Sequence, residues 1–321
     1  MIEWTIDNGD AGVRLDVWLA RRPEAGSRGK AREYLERGKV FLNGAAVAGS
    51  DAGRKLRAGD QVGLWIDRPG TSRPRRREVA SARRALRVVL EDRDILVVDK
   101  PAGWLVEPLP GEAGGEVTLL DLVADYLRTR VRVRPLVVHR IDRDTSGLVL
   151  FALTRDAQET LKAQFEQRTP ERTYLAVVRG TVTPDTGTWR DRLAWDKERL
   201  IQKRAHGAEA SAKEAVARYR VLQRLDGATL LEVSLVTGKR NQIRVQAGVR
   251  GFPLVGERLY TFGAPTPRPG DPALARQALH ASALSFIHPS TGTRVTVTAS
   301  MPEDIRALVA RLRLASPQKT R

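Results

Sequence analysis

The spacing of apolar positions divides the 321-residue chain into three parts and a short tail. Over residues 12–66, apolar residues recur first at helical and then at alternating spacing, which predicts a small unit of helices and strands. Residues 67–85, DRPGTSRPRRREVASARRA, have no such period and are rich in Arg, Pro, Ser and Gly, as linkers are. Periodicity resumes over residues 86–314 and stops before the polar tail 315–321. The pattern therefore predicts domains at 1–66 and 86–314, joined by a basic linker.

Turn and cap residues give the first part its predicted shape. Ser27 is the predicted N-cap of a helix over RGKAREYLERG, and Gly38 is the predicted C-terminal stop. Asn43-Gly44 follows an alternating run and is the dipeptide most typical of a two-residue hairpin, with a return strand expected from Val47. These residues predict a compact helix–hairpin unit.

The larger part combines short apolar runs with two helical periods. Residues 94–99 predict a buried strand, and residues 117–129 and 154–168 predict helices, the second of them capped by Thr154 or Asp156. Further strands are expected at 173–179, 215–222, 228–236, 243–245 and 295–297. Because strands follow one another without regular helical crossovers, we predict an α+β fold with a mixed, largely antiparallel sheet flanked by helices, beside the small N-terminal α/β unit.

The net charge of +17 and the pI of about 10.8 narrow the class of partner. Arginine far outnumbers lysine, and its planar guanidinium pairs with phosphate and stacks on bases. A GC-rich genome would also favour arginine codons, but it would not create an excess of positive charge. The charge thus favours RNA or DNA over an anionic membrane surface or an acidic protein. The run Arg75, Arg76 and Arg77 fits either a solvated linker or a phosphate-binding segment.

The chain contains no cysteine, which excludes disulfides, thiolate metal sites and a cysteine nucleophile and fits a reducing compartment. The first residues, MIEWTIDNGDAG, are acidic and lack the apolar core of a signal peptide. No apolar run reaches the length needed to span a bilayer. We therefore expect a soluble cytoplasmic protein without a membrane partner.

Common nucleotide, metal and serine-hydrolase motifs are missing from the sequence. There is no G-x-x-x-x-G-K-[ST], G-x-G-x-x-G, H-E-x-x-H or G-x-S-x-G pattern. The four histidines lie far apart, without the spacing of metal ligands. The sequence therefore predicts neither a metal nor a small-molecule cofactor.

The stretch HRIDRDTSG places four charges between two apolar segments, residues 135–138 and 148–153. If both segments are buried strands, the charges lie on a connecting loop at the edge of the core. One interpretation is a catalytic loop with Asp142 as its working carboxylate and Asp144 as a turn residue. The other is an ion-paired structural loop in which Asp142 or Asp144 caps a turn, and the residues alone leave both open.

Two further stretches bear on this choice. The segment LVTGKRNQIRV places Lys239, Arg240 and Arg244 around another predicted strand. A carboxylate that must stay ionised as a nucleophile is expected to have an arginine beside it, because the opposite charge lowers its pKa. Tyr174, on the predicted strand that starts at residue 173, offers either a stacking platform for a base or an ordinary cross-strand aromatic ring.

These stretches together resemble RluA-type pseudouridine synthases. The matching motifs, in order, are ILVVDKPAGWLVEP, HRIDRDTSGLVLFALT, ERTYLAVVRG, VTGKRNQIRVQAGVRGFPLVGERLY and LHASALSFIHP. The front part, with RLDVWLA, SRGKAREYLERGKVFLNG and AGD, resembles the S4 RNA-binding domain, which many members of that family carry. The resemblance implies an isomerase that converts uridine to pseudouridine in RNA. The reaction breaks the N1–C1′ bond, turns the uracil and rejoins it through C5, without a cofactor or a metal.

The resemblance also implies residue roles. Asp142 corresponds to the nucleophile, Tyr174 to the tyrosine that stacks on or beside the target base, and Arg244 to the basic partner of the aspartate. Arg140 is implied to fill the gap left by the flipped-out uridine, and His139 beside it is expected to contact RNA. Other expected RNA contacts are Arg28, Lys30, Arg32, Arg37, Lys239 and Arg240. Attack at C1′, attack at C6 and removal of the 2′ proton are all compatible with such a site.

The chain departs from the family pattern in two places. TGKRNQIRVQ stands where T-G-R-[TS]-H-Q-[IL]-R-V-H is usual, and Gly256-Glu257-Arg258-Leu259-Tyr260 replaces G-D-x-x-Y. We expect these departures to lie near the substrate face, away from the proposed catalytic residues, and to affect which uridine is chosen. The S4-like part favours large-subunit (23S) ribosomal RNA as the substrate. The alternatives are the same reaction on tRNA and a catalytically silent ribosome-assembly factor, and we expect a monomer.

Overall fold

The computed structural model describes residues 1–68, 86–108, 116–128, 130–131, 133–196, 201–205, 209–263 and 272–315. Within these residues the chain forms two compact units. The first unit comprises Met1–Arg84 and Glu107–Asp125, and the second comprises Ala85–Val106 and Tyr126–Arg321. Compared with the predicted domains, the segment Glu107–Asp125 is grouped with the first unit. Most of the predicted linker, with its arginine run, and residues 316–321 of the predicted tail lie outside the described residues.

The first unit contains a four-stranded antiparallel sheet in the order β1-β4-β2-β3. Its elements are β1 (Ile2–Thr5), α1 (Leu15–Ala20), α2 (Arg28–Glu36), β2 (Val40–Leu42), β3 (Ala45–Ala46), a 3-10 turn (Gly49–Gly53) and β4 (Gln61–Leu64). Helix α3 (Leu119–Arg128) begins in this unit and confirms the helix predicted over 117–129. Both α1 and α2 are short, so most of their stability comes from packing rather than from propensity.

The cap and turn predictions for the first unit are confirmed. The Ser27 side chain accepts a hydrogen bond from Lys30 N at 3.2 Å, and Gly38 has a φ of +61° just after the helix end. Asn43 and Gly44 both have positive φ, +52° and +79°, as a two-residue hairpin turn requires. The return strand begins at residue 45, two residues earlier than predicted, because the two-residue turn leaves no room for a longer loop.

A single apolar cluster fills the first unit. Trp18 of α1 is almost fully buried and meets Trp4 edge-on, with ring centroids 5.7 Å apart. The other fully buried apolar side chains of the cluster are Leu15, Leu19, Ala31, Leu35, Val40, Val62 and Leu64. They come from both helices and from the sheet, so this core fixes the helices, and with them the basic side chains that point outward.

The second unit is built on one large sheet. Its strands are β5 (Arg87–Glu91), β6 (Ile95–Lys100), β7 (Leu136–Val137), β8 (Ser146–Ala152), β9 (Glu171–Arg179), β10 (Thr186–Asp196), β11 (Ile201–Arg204), β12 (Lys213–Leu225), β13 (Ala228–Leu235), β14 (Leu279–Ile287) and β15 (Arg294–Thr298). Its helices are α4 (Arg155–Gln167), α5 (Gln242–Gly248) and α6 (Glu303–Ala315). Thr154 is the N-cap of α4, as predicted, since its side chain accepts from Ala157 N at 3.2 Å.

The strand order across this sheet is β11-β10-β12-β13-β9-β14-β8-β6-β5, with β7 paired to β8 and β15 to β14. Among the described strands every pairing is antiparallel except β8 with β14, which is parallel. The predicted mixed, largely antiparallel sheet with flanking helices is therefore confirmed. Alternation along β9 places α5 and α6 on opposite faces: Ala176 and Val178 share a cluster with α5, and Val177 shares one with α6.

The junction of β8 with β14 requires a glycine. Gly147 has a φ of +112°, and a Cβ at this position would lie 2.2 Å from the carbonyl oxygen of Ala281. No other residue can adopt that backbone and make so close an approach. The glycine of TSG thus allows β8, which leads out of the HRIDRDTSG loop, to pair with β14.

Candidate active site

Residues 138–145 connect β7 to β8 and carry the acidic residues of HRIDRDTSG. The loop ends in a turn in which Thr145 N donates to Asp142 O at 3.2 Å, and Asp144 lies within that turn. Strand β8 is buried along its whole length, so the charges stand at the edge of the core, as the sequence predicts. The Asp142 side chain remains 26% exposed and is accessible from outside. Below, this segment is called the catalytic loop.

Lys100, at the end of β6, holds the catalytic loop by a hydrogen bond to a backbone carbonyl of the loop. Its side chain is fully buried, and its Nζ donates to the carbonyl oxygens of Arg143 at 2.7 Å, Trp104 at 2.8 Å and Pro101 at 3.1 Å. Burial lowers the pKa of Lys100 to about 7, although the nearby carboxylates act to raise it. The sequence predicts no role for this lysine, which directly follows the strand predicted over residues 94–99. A lysine within the last residues of a strand that is largely buried and apolar was the signal for its role.

Arg276 holds the other end of the loop. Its Nη1 donates to Asp144 O at 3.0 Å and its Nη2 to Ser146 Oγ at 3.3 Å. Asp304 fixes the guanidinium through two hydrogen bonds of 2.7 and 3.0 Å. Cations therefore bind two consecutive carbonyls immediately after Asp142, and the backbone that carries its carboxylate is held firmly. Nothing in the sequence pattern singled out this arginine.

Arg244 approaches Asp142 from α5. The strand predicted over 243–245 is wrong, because three residues of the type apolar-basic-apolar fit a helix as well as a strand. The helical backbone still brings the guanidinium to the site, and Arg244 Nη1 lies 3.5 Å from Asp142 Oδ2. The two residues are separated by 102 positions in sequence.

Glu257 fixes the orientation of Arg244. Its carboxylate is fully buried and accepts from Arg244 Nε at 2.7 Å and from Nη2 at 2.8 Å, which is a bidentate pair. Backbone amides of Arg258 and Leu259 donate to the same carboxylate at 3.1 and 2.9 Å. The paired guanidinium can therefore point only one of its nitrogens, Nη1, toward Asp142.

The pKa values of the Asp142 and Glu257 carboxylates are shifted in opposite directions. Burial raises the pKa of Asp142 above its ordinary value, and the Arg244 guanidinium only partly offsets this effect. For Glu257, burial also acts to raise the pKa, but the hydrogen bonds and charge of Arg244 hold it below its ordinary value. The expectation that Arg244 would lower the pKa of Asp142 is thus correct for the pairwise effect, while burial determines the net direction.

Tyr174 lies on β9 in the apolar cluster that contains Ile243 of α5 and Ala281 of β14. Its register partners are Val233 and Ala281. The side chain is 8% exposed, and burial raises the pKa of its phenol, so the ring is neutral. This position brings Tyr174 to the sheet face that α5 covers, which is also the face from which Arg244 reaches the catalytic loop.

The departures from the family pattern have structural positions that were not foreseen. The expectation that they lie away from the catalytic residues is wrong for Asn241 and Glu257, because both contact Arg244. Asn241 Oδ1 accepts from Arg244 Nη1 at 3.2 Å, and Asn241 Nδ2 donates to the Tyr260 hydroxyl at 2.8 Å. Gln246 is fully buried, and its amide donates to Asp191 at 2.8 Å. Asn241 and Glu257 thus help to hold Arg244 in position, and Gln246 belongs to the buried interior of the second unit.

The predicted RNA contacts of the first unit fall into two groups. Arg28 and Arg32 donate to the buried Asp16, at 3.1 and 3.3 Å. Lys30 and Arg37 both pair with Glu33, at 3.1 and 2.9 Å, on the exposed side of α2. All four basic side chains come from α2 or its C-cap, as predicted.

The residues of the second unit that were predicted to contact RNA differ in their exposure. Arg140 and Arg240 are exposed, and the Arg240 guanidinium lies 4.3 Å from the centroid of the Trp195 ring. Lys239 is half-buried. His139 instead packs within the fold: its ring stacks on Phe165, its Nε2 accepts from Leu150 N at 3.0 Å, and burial lowers its pKa to about 3. These contacts give His139 a structural role and no support for an RNA contact.

In the described part of the chain, Asp92, Asp94 and His288 form the cluster closest to a metal-ligand arrangement. Hydrogen bonds already explain its geometry. His288 Nδ1 accepts from Ser290 N and Thr291 N, both at 3.2 Å, so its Nε2 carries the proton and donates to Asp92 Oδ2 at 2.8 Å. The imidazole therefore offers no lone pair to a cation in this arrangement. None of the described helices is long and apolar enough to cross a membrane.

Comparisons with known proteins identify both the family of the sequence and the fold of the structure. The sequence model of the family described as RNA pseudouridylate synthase matches residues 94–248, and that of the S4 domain matches residues 13–62. Among solved structures, that of human RNA Pseudouridylate Synthase Domain Containing 4 superposes with a TM-score of 0.62 at 19% identity, covering 74% of this chain and 98% of that one. This similarity shows that the second unit has the fold of a pseudouridine synthase.

Full-length relatives narrow the assignment. The Bacillus subtilis RNA pseudouridine synthase YlyB is 35% identical over 314 residues, which cover 97% of this chain and 98% of that protein. Ribosomal large subunit pseudouridine synthase D of Xylella fastidiosa is 35% identical over 323 residues, covering 96% and 92% of the two chains. The chain therefore belongs to the RNA pseudouridine synthase family, and it is an isomerase that acts on RNA. The resemblance to RluA-type synthases with an S4-like front domain is confirmed.

Proposed function

We propose that this synthase converts uridine to pseudouridine in large-subunit ribosomal RNA, with Asp142 as the nucleophile. The observation that carries the proposal is the accessible Asp142 carboxylate beside an arginine that a second, buried carboxylate holds in one orientation. A nucleophilic carboxylate needs such a fixed cation to stabilise its ionised form. The role follows from this geometry together with the motif that contains Asp142.

The reaction makes modest demands on the protein, since the leaving base is also the acceptor. The N1–C1′ bond breaks, the uracil turns within the site, and C5 forms the new bond to C1′. The proton on C5 is then lost, and N1 gains one. A single working carboxylate is enough because no water has to be activated, unlike in glycosidases, which use two. Tyr174 is proposed to stack against the base while it turns.

The uridine must leave its helix before it can reach Asp142. Arg140, which is exposed and precedes Asp142 in the catalytic loop by two positions, is proposed to fill the gap that the uridine leaves. Lys239 and Arg240, at the start of α5, are proposed to contact the RNA backbone near Arg244. The first unit is proposed to bind RNA backbone through the basic side chains on and beside α2.

Large-subunit RNA is favoured by the relatives named ribosomal large subunit pseudouridine synthase D, found in several bacteria at 33–35% identity. The same reaction on tRNA is the second candidate, because the catalytic chemistry would be identical. A catalytically silent assembly factor is disfavoured, since Asp142, Tyr174 and Arg244 are all retained.

Tritium release tests the proposal directly. The purified protein is incubated with 23S ribosomal RNA and, separately, with tRNA transcripts, each labelled with tritium at uridine C5. Release from 23S RNA by the wild type, but not by Asp142→Asn, is the expected result. Release from tRNA alone would overturn the substrate assignment, and undiminished release by Asp142→Asn would overturn the nucleophile.

A further inference from the structure

Asp16, in the first turn of α1, is the centre of an unusual ion cluster in the first unit. Its carboxylate is fully buried, yet three arginines donate to it. Arg14 Nε lies 3.0 Å from Oδ1, while Arg28 Nη2 and Arg32 Nε lie 3.1 and 3.3 Å from Oδ2. Arg14 adds a second contact, from Nη2 to Oδ2 at 3.3 Å. The cluster thus joins one anion to three cations.

The charges of this cluster do not cancel. Burial acts to raise the pKa of Asp16, but the hydrogen bonds of Arg14 and Arg28 hold it below its ordinary value, so the carboxylate is ionised. Three guanidiniums and one carboxylate leave two positive charges. The Arg14 and Arg28 side chains are 45% and 57% exposed, so the positive charge faces the solvent and the negative charge lies beneath it.

A buried carboxylate orders the arginines around it. A free arginine side chain loses rotamer entropy when it binds a ligand. Here the bonds to Asp16 hold the guanidiniums close together, against their mutual repulsion, before any ligand arrives. The other basic pair of α2 lacks this order, because its shared carboxylate, Glu33, is itself 34% exposed and held only by surface ion pairs.

The backbone beside the cluster also suits an anion. Helix α2 begins at Arg28, so the positive end of its dipole lies at the residue that carries one of the three guanidiniums. Gly29, the second helical residue, has open space at the position of a Cβ. An anionic oxygen can therefore approach the helix start without meeting a side chain from that residue.

We propose that Asp16 is a positioning residue that organises Arg14, Arg28 and Arg32 into a binding site for one backbone phosphate of RNA. The proposal rests on the RNA-binding role proposed for the first unit. Asp16 itself does not touch the RNA. It acts by holding guanidiniums in the forked arrangement that matches phosphate oxygens.

A positioning role for Asp16 and a purely electrostatic role predict opposite changes in RNA affinity when Asp16 is replaced. Replacing Asp16 by asparagine removes a negative charge and makes the first unit more basic. If Asp16 only neutralised its neighbours, RNA would bind the variant more tightly. If Asp16 positions them, RNA binds more weakly, because the guanidiniums lose their common anchor. Glu33→Gln is the matched control, since it makes the same charge change in the same unit at a carboxylate that pairs with Lys30 and Arg37 and not with the arginines of the cluster.

The experiment measures binding of the full-length chain to a fluorescein-labelled RNA stem-loop by anisotropy over a series of salt concentrations. We expect Asp16→Asn to bind about tenfold more weakly, the order of one charge-assisted contact. Its slope of log affinity against log salt should also fall by about 0.9, the value for one lost phosphate contact. Glu33→Gln should bind as tightly as the wild type or more tightly. Binding by Asp16→Asn that equals or exceeds the wild type would overturn the proposal.

Two further measurements separate the remaining outcomes. Circular dichroism and thermal melting of each variant show whether the first unit is folded. If Asp16→Asn is unfolded, Arg28→Gln and Lys30→Gln are compared, since both remove one positive charge from the first turn of α2. The proposal expects a larger loss for Arg28→Gln, and equal losses would overturn it. Failure of the wild type to bind the stem-loop, with tritium release intact, would overturn RNA binding by the first unit and leave the isomerase assignment standing.

Discussion

Glu257 in the second unit and Asp16 in the first are both fully buried carboxylates that hold arginines, but in opposite proportions. Around Arg244, two carboxylates share one guanidinium, and the carboxylate left partly exposed is Asp142. Around Asp16, three guanidiniums share one carboxylate, and the groups left exposed are positive. In each case the buried member fixes the geometry of its partners. The group in excess then determines the chemistry proposed for each cluster, which is nucleophilic in the second unit and phosphate-binding in the first.

The largest expected effect on activity comes from replacing Asp142, the partly exposed carboxylate beside Arg244. Asp142→Asn should lower the rate of pseudouridine formation at least about a thousandfold, because the amide is no nucleophile. RNA affinity should stay within about twofold of the wild type, since the charge lost lies outside the proposed phosphate contacts. Tritium release and anisotropy measure the two quantities. Asp144→Asn is the matched control and should keep most of the activity, as the loop is held by the Asp144 carbonyl rather than by its side chain.

Replacing Glu257, the buried carboxylate beside Arg244, should have the next largest effect on activity. Glu257→Gln removes the bidentate anchor of Arg244, and a misplaced guanidinium should lower kcat about 10- to 100-fold. KM should change little, because the Glu257 side chain is fully buried. Steady-state kinetics on labelled 23S RNA separate the two parameters, and partial recovery of kcat in Glu257→Asp would support the positioning role. A rise in KM with unchanged kcat would contradict it.

Asp16→Asn should show the reverse pattern in the same assay. KM should rise by about the factor of ten expected for RNA affinity, and kcat at saturating RNA should equal that of the wild type. The two buried carboxylates then separate into one that affects turnover and one that affects binding. A fall in kcat at saturating RNA for the folded variant would mean that the comparison between the clusters is wrong.

The smallest effect is a difference in pH dependence. Burial raises the pKa of Asp142 above the ordinary aspartate value of about 3.9, so kcat should fall as pH drops through that raised value. The arginines hold the pKa of Asp16 below its ordinary value, so this carboxylate stays ionised over the same range. RNA affinity at constant ionic strength should therefore stay flat where kcat falls. Parallel titration of kcat and of anisotropy checks this, and a joint decline would contradict it.

Local signals in the sequence were sufficient for much of the fold. The Ser27 cap and the Asn43-Gly44 hairpin depend on neighbouring residues only, and both are confirmed. Around 243–245, by contrast, three residues could not distinguish a helix from a strand, and the tertiary context selected α5. The motif that contains Asp142 was found because its charges interrupt two apolar segments, residues 135–138 and 148–153.

The supports of the site were missed because they are distant in sequence. Glu257 is 13 residues from Arg244, and Arg276 is 132 residues from the carbonyl of Asp144 that it binds. A buried ion pair of this kind has no periodicity, and its partners are chosen by the packing of several elements. The sequence therefore revealed Asp142 and Arg244, while only the structure revealed the residues that hold them in place.

Strand β14 is synthesised long after the strands of the first unit. It lies between β8, which follows Asp142, and β9, which carries Tyr174, so it joins the two halves of the sheet. The sheet of the first unit is complete once residue 64 has been made, whereas this junction needs residues 279–287. At a synthesis rate of about 5–20 residues per second, that is a delay of roughly 11–45 s. When the sheet of the first unit is complete, Asp142 and Tyr174, the residues proposed to act on the uridine, therefore still lack the strand that joins their two parts of the sheet.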